Sequence, residues 1–125
     1  MKKKYKLGFA LSGGGVKGFA HAGALKALEE FGYKPDIISG TSAGAVAGAL
    51  YVAGYSPKEI CDLFKNKSFS NFTNITMPTS GLFSPAKFVD FLKQKITYPN
   101  IEDLPIPMRI VATDLDAGKI KVFTV

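Results

Sequence analysis

The sequence predicts an α/β fold, a parallel sheet flanked by helices, and three observations carry that expectation. Short apolar runs of strand length alternate with longer segments whose apolar residues recur at helical spacing, the pattern of β-α-β units. Glycines punctuate the ends of these segments: Gly13-Gly14-Gly15 after the first run, Gly32 and Gly54 after the first two helical stretches. With 125 residues and 46% hydrophobic content, the chain has enough apolar material for one packed domain spanning 1–125.

Taken in order, residues 6–11 read as a buried strand running into Ser12 and the three glycines. Over 17–31, Ala20, Ala24, Leu25, Leu28 and Phe31 line one helical face, and Gly32 supplies a C-cap. Pro35-Asp36 leads into a second strand, Ile37-Ile38-Ser39, and 43–53 is a run of small helix formers closed by Gly54. Ser56-Pro57-Lys58-Glu59 and Ser84-Pro85-Ala86-Lys87 each set an N-cap serine before proline at the first helical position. The first opens an amphipathic helix carrying Ile60, Leu63 and Phe64, the second one carrying Phe88, Phe91, Leu92 and Ile96. Between them, 68–82 is polar but holds Phe69, Phe72, Ile75 and Met77; a lid over a lipid site and a surface loop with core-facing aromatics are both open. A third strand over 108–114, a turn at Asp116-Ala117-Gly118-Lys119 and a returning strand over 120–125 complete the chain. It ends inside an apolar strand pattern, so the expectation is the N-terminal part of a longer protein, truncated at its C-terminal end.

The formal charge of +6 favours anionic partners. Lys2, Lys3 and Lys4 offer peripheral contact with an anionic membrane surface, although a solvated, frayed terminus is the preferred reading. No basic patch interleaved with stacking aromatics occurs, so nucleic acid is not an expected partner. No apolar run reaches the roughly 18 residues of a membrane span, and no signal-peptide pattern follows the basic N-terminus. A single cysteine, Cys61, excludes an internal disulfide framework and a cysteine-rich metal site, so a cytoplasmic setting is the default.

The chemistry is concentrated in two motifs. Gly40-Thr41-Ser42-Ala43-Gly44 is a Gly-x-Ser-x-Gly string that follows an apolar strand and precedes a helix, the setting of a nucleophile elbow. A tight turn there would strain Ser42 and aim its hydroxyl out of the sheet, and a Cβ at Gly40 or Gly44 would crowd the adjoining strand or helix. The helix starting near Ala43 would turn its positive end toward a developing oxyanion. The plainer alternative is an N-cap serine with Gly44 serving packing.

Gly13-Gly14-Gly15-Val16-Lys17-Gly18 is the second motif. Consecutive glycines leave backbone N–H groups exposed at a helix start, an anion or oxyanion site to which Lys17 could add charge. The same string fits the Gly-x-Gly-x-x-Gly of dinucleotide-binding folds, but the acidic residue wanted at the end of the next strand is missing; Asp36 precedes that strand. A P-loop would need Lys-Ser/Thr after the last glycine, where Phe19-Ala20 stand. A purely structural glycine turn also remains, and a non-catalytic nucleotide- or anion-binding module is the rival function.

In order and spacing the two motifs resemble the patatin-like phospholipase family, as do Phe19-Ala20-His21-Ala22-Gly23-Ala24-Leu25 and Ala112-Thr113-Asp114-Leu115. The resemblance covers nearly the whole chain, most specifically 7–54. It implies a three-layer α/β/α fold with a mainly parallel central sheet, and hydrolysis of phospholipid or other lipid esters by a Ser–Asp dyad. Ser42 would be the nucleophile and amides of Gly13 to Val16 the oxyanion donors, with no metal or cofactor. A single histidine invites a Ser–His pair, but His21 sits just inside the first helix among small apolar residues and the family's base is aspartate, so a structural or supporting residue near the loop is the preferred reading. The family's aspartate lies in an Asp-Gly-Gly or Asp-Gly-Ala motif, and no Asp-Gly occurs here. Asp114, at the end of a sheet strand, is the weak candidate base; the expectation is that the true one lies downstream of residue 125.

Overall fold

A computed structural model describes residues 4–66 and 86–124. The expected lid or loop at 68–82, the Ser84-Pro85 cap and Lys2-Lys3 therefore lie outside the described residues.

The elements are β1 (Gly8–Leu11), a short 3-10 turn (Gly15–Gly18), α1 (Phe19–Glu30), β2 (Ile37–Thr41), α2 (Ala43–Val52), α3 (Pro57–Lys65), α4 (Ala86–Lys95), a second 3-10 turn (Ile101–Asp103), β3 (Met108–Asp114) and β4 (Lys119–Phe123). The sheet runs β1-β2-β3-β4; the first three strands are parallel and β4 returns antiparallel from the β3 hairpin. The mainly parallel sheet expected from the alternation is thus the one observed.

Local chemistry accounts for the boundaries. Gly32 (φ 79°) and Gly54 (φ 105°) each take the left-handed position just past a helix end. Around them, Gly32 N–H donates to Glu29 C=O and Tyr33 N–H to Leu28 C=O, and Gly54 and Tyr55 repeat the pair onto Tyr51 and Leu50. This double bond closes the orphan carbonyls of α1 and α2. At α3 the Ser56 hydroxyl accepts from Glu59 N–H at 3.2 Å while the Glu59 carboxylate accepts from Ser56 N–H at 2.7 Å, a complete capping box.

The alternation along the strands separates two faces. Phe9, Ile38 and Met108 are buried neighbours on one face, and the helices pack there. Leu25 of α1 and Val52 of α2 join Phe9 and Ile38 in one cluster; Ala22, Ala47, Leu50, Ile60 and Phe64 join α1, α2 and α3 in a second. Ala10, Ser39 and Arg109 sit side by side on the other face, lining a shallow hollow. The described residues thus form the sheet and one helical layer. Parallel strands added in the same direction with right-handed crossovers put their helices on one face, so this sidedness follows from the strand order. The ends of β1 and β2 reach one edge of the sheet together, because Leu11 pairs with Gly40.

Candidate active site

Ser42 stands at that carboxyl edge, between the last residue of β2 and the first of α2. Its backbone has φ 49° and ψ −125°, and it is the non-glycine residue with positive φ among the described residues. Those angles are those of the first central residue of a type II′ turn, a place glycine dominates. The side chain is exposed and makes no capping hydrogen bond to α2, so the N-cap alternative loses its defining contact. Ser42 contributes its carbonyl instead, accepting from Val46 N–H at 3.1 Å. Thr41, one residue earlier, donates from Oγ1 to Val111 C=O at 3.0 Å and ties the elbow to β3.

The flanking glycines are enforced by contact. A Cβ on Gly40 would lie 2.6 Å from Gly44 C=O and 2.7 Å from the Ala45 backbone. One on Gly44 would overlap the Leu11 carbonyl and stand 2.5 Å from the Ser12 oxygen. Both obstacles are backbone, which has no rotamer to yield. The crowding by helix and strand expected from the sequence is what these distances record.

The glycine loop lies directly beside the serine. A Cβ on Gly13 would meet Ser42 Cβ at 3.4 Å. Gly15 has φ 54°, which demands glycine, whereas Gly14 (φ 161°) is merely extended. Gly18 is buried, and its Cβ would strike the Phe64 ring at 2.5 Å and Ala43 Cβ at 3.0 Å. The third glycine of the fingerprint therefore lets α1 start close against α2 and α3. Lys17 N–H donates to Gly14 C=O at 3.0 Å, folding the loop back, and the Lys17 side chain is exposed. The Gly13 and Gly14 amides donate to no acceptor among the described residues. His21, in the first turn of α1, places Nε2 2.7 Å from the Ser12 carbonyl at the loop's entrance.

The remaining acidic candidates are committed elsewhere. Asp114 Oδ1 accepts from Ala117 N–H at 3.0 Å inside the β3–β4 turn. Asp36 Oδ2 accepts from the Lys6 and Leu7 amides at 2.8 and 2.9 Å, and these bonds hold its carboxyl below the usual carboxylate range. It lies at the opposite, amino edge of the sheet, far from where a dinucleotide ribose would sit.

One feature has no sequence signal of its own. A cavity of about 470 Å³ opens beside Ser42 between α2, α4 and β3. Its walls are Ala45, Val46 and Ala49, then Phe88, Leu92 and Ile96, then Ile110 and Ala112, with Tyr98, Ile101 and Leu104 below. The apolar stripe of α4 was legible as an amphipathic face; what it faces required the fold. Tyr55 fixes that wall, its hydroxyl donating to Lys95 C=O at 2.8 Å. An exposed side-chain hydroxyl, amides without an acceptor among the described residues and an apolar cavity are together able to receive an acyl carbonyl and its hydrocarbon chain.

The strand, tight turn and helix around Ser42 on a mainly parallel sheet define the class: an α/β domain. More particularly, the family model of patatin-like phospholipases matches residues 9–124, and the chain belongs to that family. It is 32% identical over 124 residues to neuropathy target esterase sws of Drosophila persimilis, covering 94% of this chain and 9% of that protein. Against an uncharacterized NTE family protein of Mycobacterium bovis it is 36% identical over 117 residues, covering 91% of this chain and 32% of the relative. The chain thus spans a third or less of these relatives' length. Among solved structures, ExoU in the heterodimeric ExoU–SpcU complex of the Pseudomonas aeruginosa type III secretion system superposes with a TM-score of 0.62 at 20% identity. That alignment covers 94% of this chain and 32% of ExoU, and it supports the patatin-like α/β fold. No described helix is long and apolar enough to cross a membrane.

Proposed function

We propose that this domain hydrolyses acyl esters of lipids, of the phospholipase A or esterase type, with Ser42 as nucleophile. The observation that carries the reading is Ser42 itself: a strained elbow residue whose side chain is exposed, makes no capping bond to α2 and stands in the wall of an apolar cavity. In this mechanism Ser42 Oγ attacks the ester carbonyl and forms a tetrahedral intermediate. The amides of Gly13, Gly14, Gly15 and Val16 take the oxyanion, while Lys17 and Gly18 shape the loop and draw an anionic head group toward it. The alcohol leaves, and water releases the acyl group from Ser42. The acyl chain lies between α2 and α4.

The proton acceptor for Ser42 is a carboxylate supplied from outside the described residues, completing a Ser–Asp dyad. The commitment of Asp114 to its own turn supports that reading over Asp114 as base. No metal or cofactor enters these steps. Contact with an anionic membrane surface fits the positive charge and a bilayer-borne substrate.

Hydrolysis of p-nitrophenyl butyrate by the intact protein, abolished by Ser42→Ala, is the expected result. Full turnover by the Ser42→Ala protein would remove Ser42 from the mechanism. The Gly13 and Gly14 amides, without an acceptor among the described residues, also favour the second reading, a non-catalytic anion- or nucleotide-binding module. That reading requires phosphate or nucleotide binding without ester turnover, equal in wild type and Ser42→Ala.

A further inference from the structure

The single histidine, His21, makes its hydrogen bond to the peptide that opens the glycine loop. A carbonyl oxygen only accepts, so Nε2 carries the proton in this contact, in the neutral ring and in the imidazolium alike. With Nε2 protonated and turned to Ser12, that nitrogen offers no lone pair to Ser42, which separates His21 from a Ser–His pair. The Ser12 oxygen is also pressed against the start of α2, since a Cβ on Gly44 would stand 2.5 Å from it. The carbonyl therefore sits between His21 and Gly44.

A trans peptide directs its N–H opposite to its C=O. Holding the Ser12 carbonyl toward His21 thus turns the Gly13 N–H to the opposite side, at the residue whose added Cβ would meet Ser42 Cβ at 3.4 Å. That amide donates to no acceptor among the described residues. The three glycines that follow Ser12 have no side chains to fix the peptide plane, so little else opposes its rotation. We propose that His21 is a positioning residue: by holding the Ser12 carbonyl it aims the Gly13 amide at the oxyanion formed on Ser42. The proposal rests on the reading of Ser42 as nucleophile.

The test compares His21→Ala, His21→Gln and His21→Asn in the intact protein. Gln carries an N–H donor about as far from the backbone as Nε2; Asn is one methylene shorter and falls short of Ser12. Deleting an oxyanion donor outright costs about 10²–10³ in kcat, so a loosened donor is expected to cost about 10- to 100-fold. His21→Ala and His21→Asn should show that loss with KM for p-nitrophenyl butyrate within about twofold, and His21→Gln should recover most of the rate. The Gly13 amide order parameter, read by ¹⁵N relaxation, should fall from a rigid value of about 0.85 toward 0.6 in the Ala and Asn variants only. Equal kcat in the Gln and Asn proteins, or a Gly13 amide as ordered in His21→Asn as in wild type, overturns the proposal even if His21→Ala fails to fold. A fluorophosphonate probe that labels a residue other than Ser42 overturns the nucleophile reading and this one with it. Loop loosening with Ser42 still labelled, but kcat unchanged, sinks the role of His21 alone.

Discussion

Replacing Ser42 by glycine should make the protein more stable while abolishing its activity. Ser42 holds φ 49° and ψ −125°, and a non-glycine residue in so sparsely populated a region costs about 1–3 kcal/mol. Glycine removes that strain but adds about 0.4–1 kcal/mol of unfolded-state freedom. No side-chain cap is lost, since the Ser42 hydroxyl makes none to α2. The net expectation is a gain of about 0.5–2 kcal/mol. Ser42→Ala keeps its Cβ and hence the strain, so it should stay within about 0.5 kcal/mol of wild type. Urea unfolding of the three proteins reads this directly: the midpoint should rise for Ser42→Gly with an unchanged slope. Calorimetry should place its Tm higher by roughly 4 °C per kcal/mol for a chain of this size. If Ser42→Gly were no more stable than Ser42→Ala, the elbow would hold no strain and the argument from backbone geometry would fail.

Other positions give sharper contrasts. Gly44→Ala drives a Cβ into the Leu11 carbonyl and should cost more than about 3 kcal/mol or prevent folding; Gly23→Ala, with nothing within 4 Å of its Cβ, should stabilise α1 by about 0.5–1 kcal/mol, both read by chemical denaturation. Asp36 has a folded pKa held down chiefly by the Leu7 and Lys6 amides, so its stabilisation is present above the unfolded carboxylate value and is lost as pH falls through the folded one. Asp36→Asn should therefore lower the urea midpoint at neutral pH, with the gap to wild type closing in acid; a gap constant with pH would refute the linkage. Leu92→Trp narrows the cavity beside Ser42 and should depress kcat/KM for long-chain p-nitrophenyl esters about tenfold or more while sparing the acetate; equal losses on both esters would remove the cavity as the acyl site.

Legibility in the sequence followed how local each determinant is. The Gly32 and Gly54 helix ends, the Ser56 capping box and the 108–114 strand depend on neighbours within a few residues, and each appears where the sequence puts it. The hairpin turn at Asp116-Ala117-Gly118-Lys119 is of the same kind, with Gly118 at φ 60°. The elbow was legible because its setting, an apolar strand before and small residues after, is contiguous with Ser42. The cavity was not, because its walls come from three separate elements, α2, α4 and β3, of which α2 and β3 contribute residues more than sixty positions apart. His21 was legible as a residue near the loop, but only the fold reveals that its partner is the Ser12 carbonyl. The commitment of Asp36 and Asp114 to backbone amides was equally hidden, since composition records a carboxylate and not what it binds.

The two glycine motifs turn out to be halves of one object. Gly44 of the elbow is required by Leu11 and Ser12, which lead into the loop, and Gly18 of the loop is required by Ala43 of the elbow and by Phe64. Gly13 in turn borders Ser42. Gly44, Gly18 and Gly13 thus each answer to residues of, or leading into, the other motif. Because the Gly44 contacts are with the Leu11 and Ser12 backbone, they transmit displacement without slack. A Cβ at Gly44 would therefore push Ser12 and with it the Gly13 amide, so Gly44→Ala, in a background stabilised by more than the substitution costs, should lose turnover even where the fold is kept. Activity retained in a folded Gly44→Ala protein would show that the loop and the elbow move independently, and the coupling drawn from these distances would then be wrong.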